Sequence, residues 1–331
     1  MLTDRGRKHQ RHAAKAAPSV LELTILRRPA PEHLRAALAE TEIIISERNQ
    51  AVTAEMVAAA PRLRYILRLG SLVHDIDLAA ARRAGVKVSA QSVRDSILAA
   101  EHVFMMSLAL LKRLGRSLRA IVEFTPRAPV KRTNEDTFAY NWMGYRDLQP
   151  LQGQKVAILG MGEIGVELAR RMAPFHPGAL WYHKRSPYPP AVEQALKLER
   201  ASFKQCVRDA DVLVSLLPFT DETAHCFGQT AFDMMPLHAV LVHAGSGGVI
   251  DEAALARALL DGRIAGAALD TFEFEPLPSG NPLVNLARDG QVNLLLTPHV
   301  ASGSLLDSRA EDFAEVLRFL RGEPLHFEVT I

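Results

Sequence analysis

Three groups of residues in this 331-residue chain have types and spacings that could do chemistry. The first is Gly160-Met161-Gly162-Glu163-Ile164-Gly165, set between an apolar run, KVAIL at 155–159, and a helical pattern, VELARRMAPF. The first glycine permits a tight turn, the second lets a pyrophosphate approach the backbone, and the third lets helix pack on strand. The helix N-terminus would offer unpaired N–H groups and a positive dipole end to the phosphates. This arrangement predicts a bound dinucleotide. The second group, His183-Lys184-Arg185, starts eighteen residues past Gly165, at the end of the next strand-like run. An acid there would bond an adenosine ribose 2′-hydroxyl and repel a 2′-phosphate. A basic cluster pairs with that phosphate, so NADP is favoured over NAD, although the same residues also suit a solvated basic turn. The third group is a carboxylate and an imidazole, Glu275-Pro276 in TFEFEP and Pro298-His299 in LTPHVA. Their order behind the dinucleotide loop suits a hydride-transfer site. Taken singly, Pro298-His299 equally suits an exposed turn, and Glu275 a cap for the next segment.

Elements that could position these groups are readable along the chain. KVAIL (155–159), ALWY (179–182), DVLVSLL (211–217), AVLVHA (239–244), IAGAAL (264–269) and VNLLLT (292–297) read as six buried strands. Apolar runs without polar alternation suit a parallel sheet covered on both faces. Helix patterns at 164–175, 190–198, 202–208, 229–235 and 251–261 lie between them, the last opening at the N-cap Asp251 and stopping at Gly262. The fold class is therefore α/β, with a doubly wound parallel-sheet (Rossmann) domain. Strand-like EIIIS (42–46), RYILRL (64–69) and VKVSA (86–90), separated by helical stretches at 31–39, 53–60 and 77–84, predict a smaller flavodoxin-like α/β domain. A helix from about Ser96 to Leu114 leads into the large domain, and another, about Asp307–Arg321, returns to pack on the small one.

Composition sets outer bounds. Hydrophobic residues make up 48% and charged residues 23%, a globular balance, and the net charge of +2 demands neither nucleic acid nor an anionic membrane. Arg5, Arg7, Lys8, Arg11 and Lys15 oppose only Asp4 in the first fifteen residues, which have no apolar face and read as a mobile basic tail over 1–18. That segment lacks the serines and amphipathic stripe of a transit peptide and the apolar core of a secretion signal, so a cytoplasmic protein is expected. The only cysteines, Cys206 and Cys226, have no metal-type spacing and read as reduced thiols. The scattered histidines suggest no metal site.

The helix around Phe104–Leu114, GMGEIG, LLPFTDET, GGVIDEAALARAL, GRIAGAALDTFEFEP and LTPHVA together resemble the D-isomer-specific 2-hydroxyacid dehydrogenases, in that family's order, over roughly residues 40–320. The resemblance implies an NAD(P)-dependent oxidoreductase acting on a 2-oxo or 2-hydroxy acid in a cleft between domains. It implies a homodimer, through the large domains and the helix after Ser96. TFAYNW (137–142), aromatic-rich in an aromatic-poor chain, is a candidate for an interface, for a cleft edge or for a local turn cluster. Residues 99–299 would bind the dinucleotide, and 19–98 with 300–331 the substrate. Carried over by motif, His299 is the acid/base, Glu275 orients and charges it, and Asp270 bonds the nicotinamide carboxamide. Gly160, Gly162, Glu163, Ile164, Gly165, Leu217, Pro218, Thr223, Ala244, Gly245 and Ser246 would line the cofactor.

Two positions depart from the family pattern. Ser246-Gly247-Gly248 stands where the family has Arg-Gly-Gly, so the guanidinium that would pair with a substrate carboxylate is missing. The carboxylate-binding turn reads Gly70-Ser71-Leu72-Val73-His74-Asp75, where Ser71 and Leu72 would face the substrate and Leu72 narrows the approach. Arg94, in Ser92-Val93-Arg94-Asp95, a loop that in the family borders the substrate cleft, is the available substitute cation, although the same residue also suits an ordinary surface arginine. The alternative to an enzyme is a catalytically weak dinucleotide-binding regulatory or co-repressor-like protein, which Ser246 favours and the Glu275/His299 pair opposes.

Overall fold

The computed structural model describes residues 1–47, 51–123, 130–138, 140–289, 292–303 and 309–330. Chain contacts divide it into two compact units, Met1–Ile97 with Ser304–Ile331, and Leu98–Gly303. In chain order the first unit holds β1 (Leu2–Thr3), α1 (Arg7–Ala16), α2 (Pro31–Ala39), β2 (Ile43–Glu47), α3 (Ala54–Ala58), β3 (Tyr65–Leu69), α4 (Leu78–Arg83) and β4 (Lys87–Gln91). The chain passes into the second unit within α5 (Arg94–Leu111). There follow α6 (Leu114–Glu123), β5 (Lys155–Leu159), α7 (Glu163–Met172), β6 (Ala179–His183), α8 (Pro190–Leu196), β7 (Glu199–Arg200), α9 (Phe203–Asp209), β8 (Val212–Ser215) and α10 (Gln229–Met234). β9 (Val240–His243), α11 (Glu252–Leu260), β10 (Gly266–Leu269), α12 (Pro282–Asp289) and β11 (Leu294–Leu296) complete it, and α13 (Ala314–Arg321) belongs to the first unit.

The second unit is a seven-stranded parallel sheet in the order β11-β10-β9-β8-β5-β6-β7. Ala157, Leu159, Leu213, Leu241, Ala267 and Leu269 enter one core, and the alternate residues Val156, Ile158, Val214, Val242 and Ala268 are buried as well. Burial on both faces explains the unbroken apolar runs in the sequence. The order reverses between β5 and β8, where the doubly wound arrangement leaves a crevice beyond the strand ends. The seventh strand, β7, is only two exposed residues at the sheet edge and carries no apolar pattern, so the sequence does not announce it. The helices α6 and α12 are likewise absent from the sequence reading. Asp251 caps α11 by accepting from the Ala254 amide, and Gly262 follows that helix with φ +63°.

The first unit is a four-stranded parallel sheet, β1-β2-β3-β4. Its β1 and α1 correct the mobile-tail reading of residues 1–18. Leu2–Thr3 pairs with Ser46–Glu47, and Ala13 is fully buried on α1. One anchor is Glu47, a buried carboxylate that Thr3 Oγ1 donates to at 2.8 Å and that pairs with Arg309 at 2.8 Å and Arg5 at 3.3 Å. Burial would raise this carboxyl, but the two guanidiniums hold it below the usual range. At the other end, Phe319 on α13 stacks on Tyr65 of β3 with ring centroids 4.6 Å apart, so the returning helix does pack in this unit. The regular helix begins at Ala314 after a 3₁₀ turn at Ala310–Phe313, while residues 307–308 of the expected span, like residue 139 of the aromatic segment, lie outside the described residues.

Candidate active site

The glycine loop leaves β5 and enters α7 as its spacing predicts. Gly160 has φ +89°, and a Cβ there would lie 2.6 Å from the Leu216 carbonyl oxygen. Only glycine fits such a turn. At Gly165 a Cβ would meet Met161 Sδ at 2.9 Å, so the helix packs tightly onto the loop. Gly162 differs from both, because nothing lies within 4 Å of where its Cβ would be. It is also the N-cap of α7 and makes no side-chain cap, which leaves Glu163 and Ile164 at an open helix N-terminus. The open face and the free helix end fit a dinucleotide pyrophosphate. At the end of β6, the Ala201 carbonyl accepts from His183 Nδ1 at 3.1 Å, so the ring's Nε2 faces away from that bond. Lys184 Nζ lies 3.9 Å from the centroid of Tyr188, whose hydroxyl donates to the Met161 carbonyl. That contact ties Lys184 to the glycine loop, while Arg185 is exposed.

Two neighbouring loops supply the remaining cofactor candidates. Thr223 Oγ1 donates to the Pro218 carbonyl at 2.7 Å, closing the turn after Leu217. Ala244, Gly245 and Ser246 follow β9, and the Ser246 amide donates to the Leu217 carbonyl at 2.9 Å. A Cβ on Gly245 would sit 2.5 Å from that carbonyl, and one on Gly247 would sit inside the Phe272–Glu273 peptide. His243, fully buried at the end of β9, donates from Nε2 to the Ser246 carbonyl at 3.2 Å. Burial pushes its imidazole down to about 4, so it stays neutral and brings no charge to the position of the missing arginine.

His299 and Glu275 are brought together from loops beyond β11 and β10. Nδ1 of His299 donates to Glu275 Oε2 at 2.6 Å, and Oε1 accepts from the Phe272 amide at 3.0 Å. The histidine side chain is 56% exposed and the pair borders a cavity of about 510 Å³. Phe272, Pro276, Leu277, Leu296, Thr297 and Pro298 form its other walls. A ring whose Nδ1–H is held by a carboxylate presents Nε2 to a substrate.

Asp270 is 0% exposed, and both carboxylate oxygens are engaged within the protein. Oδ1 accepts from Thr297 Oγ1 at 2.6 Å and the Val300 amide at 3.0 Å, and Oδ2 accepts from the Ala301 amide at 2.9 Å. Rather than facing outward, Asp270 braces the segment that carries His299. Glu252 of α11 does the same for the Glu275 loop, accepting from the Glu273 amide at 2.9 Å and from the Asn281 side chain. Sequence reasoning finds Asp270 but not this role, and it misses Glu252, Thr297 and His102 altogether. An acid one residue after an N-cap and a histidine inside an apolar helix carry no local signal of such contacts.

Of the substrate-side candidates, Ser71 and Leu72 are half-buried in the turn after β3. Arg94 is the first residue of α5, not a loop residue, and its guanidinium, 69% exposed, pairs with Glu311 at 2.9 Å. Among the described residues no group of acids, histidines and cysteines could hold a metal ion. Cys206 and Cys226 are free, and burial pushes their thiols up to about 12 and about 11.

Residues 124–301 match the model of the D-isomer specific 2-hydroxyacid dehydrogenase NAD-binding domain. This chain belongs to that family. It is 30% identical to the glyoxylate reductase of Korarchaeum cryptofilum over 86% of this chain and 81% of that protein. It is also 30% identical to the D-3-phosphoglycerate dehydrogenase of Archaeoglobus fulgidus over 86% of its own length, but spans only 50% of that relative. Among solved structures, the PH0520 protein of Pyrococcus horikoshii superposes with a TM-score of 0.58 at 27% identity, covering 99% of this chain and 94% of that one. The loop after β9 has tightly packed glycines at 245 and 247 and a serine between them at 246.

Proposed function

We propose that this family member is an NAD(P)-dependent oxidoreductase that interconverts a 2-oxo acid, or a related small carbonyl compound, and the D-2-hydroxy acid. The 2.6 Å bond between His299 Nδ1 and Glu275 Oε2 carries the proposal. Glu275 holds the ring in one tautomer and stabilises the positive charge that the ring carries when protonated. In the reducing direction Nε2 of His299 gives its proton to the substrate oxygen, and in the oxidising direction it takes that proton back. A bound nicotinamide supplies the hydride. Gly160, Gly162, Glu163, Ile164 and Gly165 would hold its pyrophosphate, and Leu217, Pro218, Thr223, Ala244, Gly245 and Ser246 would flank the rest.

His183, Lys184 and Arg185, with no acid at the end of β6, support NADP over NAD. Exposed Leu118, Ile121 and Val122 on α6, with Phe138, Tyr140 and Trp142 nearby in sequence, support a homodimer. Among the described residues, no helix is long and apolar enough to cross a membrane. Oxidation of NADPH and NADH, followed at 340 nm (about the nicotinamide absorbance maximum), over a panel of 2-oxo acids tests the activity. Turnover that is lost in His299→Ala supports it.

Ser246 favours a second reading, a dinucleotide-binding protein with weak turnover. Tight NADPH binding by calorimetry with no oxidation by any acid of the panel would select that reading.

A further inference from the structure

His102 sits on α5 between the buried positions Ala99, Val103 and Met106, with 15% of its side chain exposed. An imidazole at the edge of an apolar face needs a polar partner. Nε2 lies 3.0 Å from Thr297 Oγ1 and 3.4 Å from Asp270 Oδ1. Proton bookkeeping gives these contacts a direction. A carboxylate only accepts, so the 2.6 Å bond between Thr297 and Asp270 takes the threonine's hydroxyl proton. Thr297 Oγ1 can then only accept from the ring, and Nε2 of His102 must carry the hydrogen. The result is a directed chain, from His102 to Thr297 to Asp270. Asp270 also accepts from the Val300 and Ala301 amides. These bonds bracket His299, whose φ of +52° is a conformation that residues other than glycine rarely adopt.

We propose that His102 is a positioning residue, which fixes the hydroxyl of Thr297 on Asp270 and so holds His299 in line with Glu275. Without the ring, the Thr297 hydroxyl is free to turn to the Leu269 carbonyl, already 3.5 Å away. Asp270 then loses its shortest donor and the loop loses a tether. The proposal rests on reading His299 as the acid/base group.

The test compares His102→Leu, His102→Gln and Thr297→Val in the full chain. Two readouts are followed: kcat and KM with NADPH and the best 2-oxo acid, and ¹⁵N imidazole spectra of the cofactor-free protein in alkaline solution. His102→Leu should lower kcat about tenfold to hundredfold, the scale of a small misalignment at a reacting group, and leave the KM for NADPH unchanged. The His299 spectrum should change from a single Nδ1–H tautomer to a mixture. His102→Gln, which keeps a donor, should recover both readouts, and Thr297→Val should match His102→Leu without adding to it in the double variant. Unchanged kcat and tautomer in His102→Leu would overturn the proposal. So would a loss of thermal stability with kcat per folded molecule intact, or a glutamine variant no better than leucine. If the wild-type chain turns over no 2-oxo acid, the functional reading fails, while the tautomer spectra still decide whether His102 positions His299.

Discussion

The loops beyond β10 and β11 and the loop beyond β9 leave neighbouring strands of one sheet, yet they are held by different physics. The first pair is braced by side-chain carboxylates. Asp270 grips residues 297, 300 and 301, Glu252 grips 273 and 281, and Glu275 grips the Phe272 amide and His299. The loop at 244–248 is held by glycines too close to neighbouring backbone for any side chain, and by one neutral histidine on the Ser246 carbonyl. None of that second scaffold uses the side chain at 246. A loop of this kind can exchange a guanidinium for a hydroxyl and keep its shape, whereas the braced loops cannot lose a carboxylate without losing a tether. The side chain at 246 is thus one that the fold of this loop does not use.

Four changes would break this contrast between the loops, and their effects should shrink from the first to the last. Replacing His299 by alanine removes the proton donor and should lower kcat/KM about 10²–10⁴-fold with folding unchanged, measured by steady-state kinetics and thermal melts. A near-wild-type rate would mean that the braced loops hold no acid/base group. Gly247→Ala should do the opposite, acting on the fold first. Its methyl overlaps the Phe272 carbonyl, and the strain should cost about 3 kcal/mol in urea unfolding. Full stability in that variant would show that glycine packing does not hold the loop.

The third change is acidification. Unfolded, the His243 imidazole titrates at its ordinary 6.5; folded, burial lowers it to about 4. Between those values the unfolded chain binds the extra proton, so the contribution is fully present above pH 6.5 and is lost as pH falls toward 4. Melting temperatures across that window should fall in the wild-type chain and fall less steeply in His243→Asn. Equal slopes would remove the histidine from the account of the 244–248 loop. Last, Ser246→Arg adds a cation to an unchanged scaffold. It should lower the KM for a 2-oxo acid by about tenfold while leaving the melting temperature in place. No change in KM would show that this loop does not face the substrate carboxylate.

What is legible in the sequence follows the range of the interactions involved. Strands β5, β6, β8, β9, β10 and β11 can be read because each is a local apolar run, and the glycine loop because its turn needs particular residues within six positions. The helix α6 is readable too, although the sequence reading misses it, since Leu114, Leu118, Ile121 and Val122 follow a helical spacing while all four are exposed. The basic N-terminal segment misleads for another reason. Its own charges argue for solvation, while its strand pairing, the burial of Leu2 and Ala13, and the contacts of Thr3 and Arg5 with buried Glu47 all depend on residues far along the chain.

By itself the sequence determined a doubly wound sheet and a dinucleotide turn, because short-range sterics and hydrophobic periodicity dictate such features, while the choice of His299 and Glu275 followed from the resemblance of their motifs to a known family. It also determined that residue 246 carries no cation. Only the tertiary structure decided that Asp270 turns inward to brace the His299 segment, and that Glu252 and His102 contact the segments that carry Glu275 and His299. Those contacts join residues that are distant in sequence, and each depends on a buried polar group finding a partner, a requirement that burial creates and the linear chain does not display.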